Sequence, residues 1–168
     1  LPQGVLAFLA WSLENTTYST RFSGVDAPGS TFCTLAATLE DRLKKEVKKP
    51  SHRFGVERDA DCQAELVHHP SPPQCIFADV GGFWRDELLS AFNDVLNQGG
   101  KLTWSTLRDV ILSGNAVTEW TYCVRHKRRC RAWKAKHHWA VIPCLDWSPQ
   151  NQKLGKADGN TFKDFAAW

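Results

Sequence analysis

The sequence contains no methionine, no internal repeat, no low-complexity segment and no apolar run long enough to cross a bilayer. Its longest apolar stretch, Gly4 to Leu13, falls short of the roughly 20 residues that a spanning helix needs. It also lacks the basic start and small-residue cleavage site of a signal peptide, so a packed helix ending near Asn15-Thr16-Thr17 is expected, with no membrane partner. Excess charge is scarce as well: 21 basic against 18 acidic side chains leave a formal +3, too little for bulk electrostatics alone to imply a nucleic-acid partner. The six cysteines (Cys33, Cys62, Cys75, Cys123, Cys130, Cys144) are spread through 168 residues without the dense spacing of disulfide-stapled scaffolds. Reduced thiols in an intracellular compartment are expected, nuclear if the cell is eukaryotic. The chain opens at Leu1 and stops at Trp168 inside an apolar run, and is read as part of a longer protein.

What is present is a folding composition, 42% hydrophobic and 23% charged, with eight Trp. Its length fits one core. The mixed aromatic and β-branched run Tyr18 to Val25 predicts a strand, Asp26 to Ser30 a turn, and the periodic stretch Phe32 to Leu43 a helix. That helix loses its apolar face in the basic run from Lys44 to Lys49, and Pro50 bars its continuation. A second strand over His52 to Glu57, a helix over Ala60 to His68, the loop Pro70 to Pro73 and a third strand over Cys75 to Val80 follow. Alternation of this kind predicts an α/β fold with a mainly parallel sheet and flanking helices. Phe83 to His138 breaks the rhythm and reads as an insertion between the third and fourth strands. It holds a helix over Leu88 to Leu96, a break at Gly99-Gly100 and a short element over Leu107 to Val117. The fourth strand is expected at Trp139 to Ile142, broken by Pro143, with a polar loop from Gln150 to Asn160.

In open α/β sheets ligands sit at the carboxyl ends of the strands. The first end offers Phe22-Ser23-Gly24-Val25 and then Asp26 to Gly29, where Gly24 and Gly29 would let backbone approach a ligand. The second offers Glu57, suited to accept hydrogen bonds from ribose hydroxyls. The third offers Asp79, suited to accept one from an exocyclic amine. A turn and two acids in that order describe a nucleoside site, although each acid alone would serve equally as a helix cap. The fourth strand end places Cys144 directly after Pro143, and a thiol there can act as a nucleophile.

Phe22-Ser23-Gly24, Glu57, Asp79 and the Pro143-Cys144 pair with Trp147-Ser148, taken in order, resemble the cytosine-5 DNA methyltransferase family. The resemblance implies a Rossmann-like S-adenosylmethionine-dependent fold over residues 1–168, truncated, with S-adenosyl-L-methionine as cofactor. It implies that Phe22, Ser23, Gly24, Val25, Glu57, Arg58, Asp79, Val80 and Pro143 bind that cofactor. Cys144 would attack C6 of a cytosine flipped out of DNA, since C6 cannot be reached within the stack. The family's usual Gly-Gly after the first motif is replaced by Asp26-Ala27-Pro28, and its later motifs do not occur. The likeness therefore covers the cofactor half and the nucleophile. An RNA-directed enzyme, or an inactive remnant that binds nucleic acid, are the other readings.

The stretch Arg125 to His138 crowds Arg125, Lys127, Arg128, Arg129, Arg131, Lys134 and Lys136 around Trp133. Clustered cations gain affinity for phosphates by counterion release, and an aromatic can stack on a base, so these residues, with Ser148, are expected to contact nucleic acid. The competing reading is a solvated helix face. Cys123, Cys130, His126, His137 and His138 raise the thought of zinc, but Cys-x6-Cys lies outside the usual C-x₂₋₄-C spacing, so no metal is expected. Ser71-Pro72-Pro73-Gln74 has a stacking aromatic replaced by Gln74 and reads as a loop.

Overall fold

The computed structural model describes residues 1–21, 26–98, 108 and 117–140. Six strands form one mixed sheet in the order β5-β4-β3-β2-β1-β6: β1 Thr17–Arg21, β2 Ser51–Val56, β3 Cys75–Phe77, β4 Trp120–Cys123, β5 Arg128–Arg131 and β6 His137–Ala140. β1, β2, β3 and β6 run parallel. The expectation of a mainly parallel sheet holds for those four and fails at the β3 edge, where β4 and β5 pair antiparallel. The cause is the short reversal between Cys123 and Arg128, since only antiparallel neighbours can be joined without a crossover.

The helices are α1 Gln3–Glu14, α2 Ala27–Leu43, α3 Ala60–His68 and α4 Asp86–Asn97, with a 3₁₀ turn over Val80–Phe83. α1 arises from the apolar run at the start of the chain; its buried positions Leu6, Ala10 and Leu13 recur at helical spacing and pack with Ala36 and Leu39 of α2 and with Val47. α2 ends at Lys44, whose φ of 53° lies in the left-handed region. The opposite face of the sheet carries Phe54, Val56, Cys75, Phe77 and Cys123, covered by Phe83, Trp84 and Phe92. Trp84 and Phe92 meet edge to face at 5.1 Å between ring centroids.

Gly29, in the first turn of α2, has no room for a side chain. A Cβ there would lie 2.1 Å from Asp26 Oδ2 and 2.8 Å from the Tyr18 hydroxyl. The space a ligand was expected to use at Gly29 is thus filled from within. Gly29→Ala is expected to cost at least about 1–3 kcal/mol, the usual penalty of overpacking; urea unfolding with an unchanged midpoint would show that α2 shifts freely.

Candidate functional site

Ala140, Arg21, Val56 and Phe77 stand side by side in register as the last residues of β6, β1, β2 and β3. Glu57 follows β2 and Asp79 lies two residues beyond β3 at this same end of the sheet, while residues 22–25 and 141–148, which follow β1 and β6 in the chain, lie outside the described residues. The strand order changes direction beside β1, between β2 on one side and β6 on the other, and a crevice opens at such a reversal.

Two of the expected site residues are brought together. The Glu57 amide donates to the Phe77 carbonyl at 3.0 Å, fixing the end of β2 against the end of β3. Arg58 Nη2 and Asp79 Oδ2 form an exposed ion pair at 3.0 Å. Both acids also shape backbone. Glu57 Oε1 accepts from the Asp59 amide at 3.0 Å, and Asp79 Oδ1 accepts from the Gly81 amide at 2.7 Å, capping the 3₁₀ turn. Glu57 is largely buried while Asp79 is exposed. Val80, expected in the third strand, instead starts the 3₁₀ turn and is buried in the apolar core.

Beneath the first turn lies a polar cluster built on Asp26, a residue of the turn that the sequence placed beside the ligand. Asp26 is fully buried, adopts φ 59°, and accepts from the Gly29 amide at 3.1 Å as the N-cap of α2. Its Oδ2 lies 3.1 Å from His52 Nδ1. His52 Nε2 lies 3.0 Å from Thr20 Oγ1, and the His52 ring stacks on Tyr18 at 4.2 Å. With the proton on Nδ1 alone, the neutral imidazole turns its N–H side toward the Asp26 carboxylate and lets Nε2 accept from the Thr20 hydroxyl. Burial, and then the Asp26 carboxylate, push the Tyr18 hydroxyl above its ordinary pKa. The signal was present in the sequence: Asp followed by Ala-Pro-Gly is the pattern of a capped helix start with proline in the first turn.

On the opposite face Arg21 is buried, its guanidinium 5.7 Å from the Phe54 ring centre and 5.5 Å from that of Phe83. Burial lowers its pKa to about 10. With Phe54, Phe83, Trp133 and His138 it lines an open cavity of about 220 Å³. His138 Nδ1 lies 2.6 Å from Ser19 Oγ, and its pKa is lowered first by burial and then by Arg21. Sequence reasoning did not find this cavity, because the alternation that puts Ser19, Arg21, Phe54 and His138 on one face depends on a register shift between Tyr18 and Ser19.

The basic stretch is not a helix face. It forms the reversal after β4, then β5, then a segment that crosses to the far edge of the sheet, where the Lys136 amide donates to the Thr17 carbonyl at 3.1 Å. Its cations are therefore divided. Arg131 pairs with Glu119 at 2.6 Å and lies 4.7 Å from the centre of the Trp133 ring. Arg125 donates to the Pro73 carbonyl. Lys136 donates to the Asn15 carbonyl at 2.6 Å. Arg129 donates to the Trp120 carbonyl at 3.0 Å. Lys127, Arg128 and Lys134 are exposed. Phe22, Ser23, Gly24, Val25, Pro143, Cys144 and Ser148 lie outside the described residues, as does nearly all of Leu107 to Val117. Among the described residues, no helix is long and apolar enough to cross a membrane.

No family model, no curated protein and no solved structure matches the chain.

Proposed function

We propose that this chain supplies the cofactor site and the nucleophile of an S-adenosyl-L-methionine-dependent cytosine-5 DNA methyltransferase with a Rossmann-like fold, acting inside the cell. One observation carries the reading: four parallel strands in the order β3-β2-β1-β6 end in register at Phe77, Val56, Arg21 and Ala140, and each is followed in the chain by a segment that resembles a family motif. Glu57 would accept from the ribose hydroxyls and Asp79 from the adenine amine, with Arg58 holding the Asp79 carboxylate in place. Phe22, Ser23, Gly24, Val25, Val80 and Pro143 would complete the cofactor site.

In the proposed reaction the Cys144 thiolate adds to C6 of a flipped cytosine. Electron density would then reach C5, and S-adenosyl-L-methionine, when bound, would supply the methyl group and leave as S-adenosylhomocysteine. Loss of the C5 proton to a base then expels the thiolate and restores the ring. Arg125, Lys127, Arg128, Arg129, Arg131, Lys134, Lys136 and Ser148 would contact the nucleic acid. Among the described cations, Lys127, Arg128 and Lys134 are the best placed, because Arg125, Arg129, Arg131 and Lys136 already hold protein groups.

Calorimetry with S-adenosylhomocysteine tests the cofactor half. Glu57→Ala is expected to weaken binding by about 1.5–3 kcal/mol, roughly ten- to 150-fold, the range for hydrogen bonds to a charged group. Because Glu57 also holds the Asp59 amide, Glu57→Gln is the paired variant: it keeps an acceptor for that amide and removes the charge. Equal affinity in wild type and both variants would take Glu57 out of the site.

A further inference from the structure

We propose that Cys75, Cys123, His126 and Cys130 bind a zinc ion that fastens the β4–β5 hairpin to the edge of the parallel sheet. Strand alternation explains why the four side chains meet. Phe77 pairs with Cys123, so Cys75, two residues back along β3, shares its face of the sheet. Cys130 pairs with Thr121, two residues before Cys123 on β4, so Cys130 and Cys123 face the same side as diagonal neighbours. His126 reaches them from the reversal between β4 and β5, next to Lys127, whose φ of 52° lets the chain turn back sharply.

The nitrogen–sulfur spacing is that of a tetrahedral site. His126 Nδ1 lies 3.4 Å from Cys123 Sγ, 3.4 Å from Cys130 Sγ and 3.8 Å from Cys75 Sγ, and all four donor atoms lie within 4.8 Å of one another. Zinc bonds of about 2.3 Å to sulfur and 2.0–2.1 Å to nitrogen, at the tetrahedral angle, put the nitrogen about 3.5–3.6 Å from each sulfur. The three measured separations straddle that value. Three uncrosslinked thiols converge on one imidazole nitrogen, and none is disulfide-bonded. Three soft thiolates with one imidazole select zinc over hard cations.

Binding replaces three thiol protons with one divalent cation, leaving the neutral imidazole to donate a lone pair. The assembled site has a net charge of −1, and Arg125, Lys127, Arg128 and Arg129 surround it in sequence. Part of the basic stretch thus has a role that needs no nucleic acid. Because the protein fills all four positions, the ion is structural and has no open coordination position for a substrate. Its mechanical role follows from how little else joins the hairpin to the sheet. β3 is three residues long, and its contact with β4 rests on the Phe77–Cys123 pairing, the Val124 amide to the Ile76 carbonyl at 2.8 Å, and Arg125 to Pro73. The expectation of no metal rested on the Cys-x6-Cys spacing; counting His126 turns it into Cys-x2-His-x3-Cys, which is ordinary for zinc, and Cys75 is supplied by the fold.

The test uses the full chain purified without chelators. Elemental analysis should find one zinc ion per chain, released to a chromophoric chelator when a mercurial titrates the thiols. Cobalt substitution should give thiolate charge-transfer absorption and the intense visible bands of a tetrahedral ion. His126→Ala, at an exposed position, should lose the metal and lower the thermal midpoint, while Cys62→Ser should keep both. Because loss of metal in a variant can follow from misfolding, the wild-type spectrum decides independently. A wild-type chain that stays metal-free after incubation with zinc, a weak octahedral cobalt spectrum, or a Cys123–Cys130 disulfide by mass spectrometry would each overturn the site.

Discussion

Replacing Asp26 by Ala should destabilise the chain by about 1–3 kcal/mol, the usual cost of leaving a buried polar group without its partner. Three effects act together. His52 loses the carboxylate 3.1 Å from its Nδ1 while remaining buried. α2 loses the cap on its Gly29 amide, worth about 0.5–2 kcal/mol. The left-handed backbone at φ 59° passes from Asp, which tolerates it, to Ala, which does not, at about 1–2 kcal/mol. The parts overlap, so their sum is not the expectation; the buried pair sets the scale. Against the 5–15 kcal/mol that holds a typical domain together, this is a large fraction. Denaturant unfolding of Asp26→Ala, His52→Ala and the double variant measures the coupling directly. Additive losses in that cycle, with a coupling energy below about 0.5 kcal/mol, would show that Asp26 and His52 act independently, contrary to the polar cluster described above.

The same residue shows how far the sequence could be read. Strands and helices up to β3 were legible because each is a short periodic run closed by proline, glycine or a charge cluster. α3, bounded by Asp59 and by the prolines after His69, falls on the residues expected of it. What remained hidden depends on which side chains share a face. The His52 partner of Asp26 is 26 residues away in the chain, and Cys75 is 48 residues from Cys123, so neither pairing leaves a local pattern. β5 was obscured for a different reason. Arg128, Arg129 and Arg131 give its four residues no apolar alternation, and what makes them a strand is pairing with Trp120 to Cys123 across a tight reversal. Charge density in that stretch was visible in the sequence, but the division of its cations among Glu119, Pro73, Asn15 and Trp120 was not.

If Cys144 is the proposed nucleophile, the full-length protein incubated with S-adenosylmethionine and an oligonucleotide carrying 5-fluorocytosine should form a covalent adduct stable to denaturation. The thiolate adds to C6 and the methyl group is transferred to C5. The reaction then stops, because fluorine at C5 cannot leave as a proton and the thioether at C6 is not released. Cys144→Ser should reduce the adduct to background, since a serine hydroxyl is a far weaker nucleophile at neutral pH than a thiol. Affinity for S-adenosylhomocysteine should stay unchanged in that variant, because Glu57 and Asp79 belong to the ends of β2 and β3, whereas Cys144 follows β6 across β1. The two measurements separate the possibilities. Cofactor binding without adduct in the wild type would leave a nucleotide-binding protein that has lost the chemistry. An adduct that persists in Cys144→Ser would assign the attack to another residue. An adduct with RNA and none with DNA would keep the mechanism and change the substrate, because the flipped base presents the same C6 in either strand while only RNA offers a 2′-hydroxyl to be read.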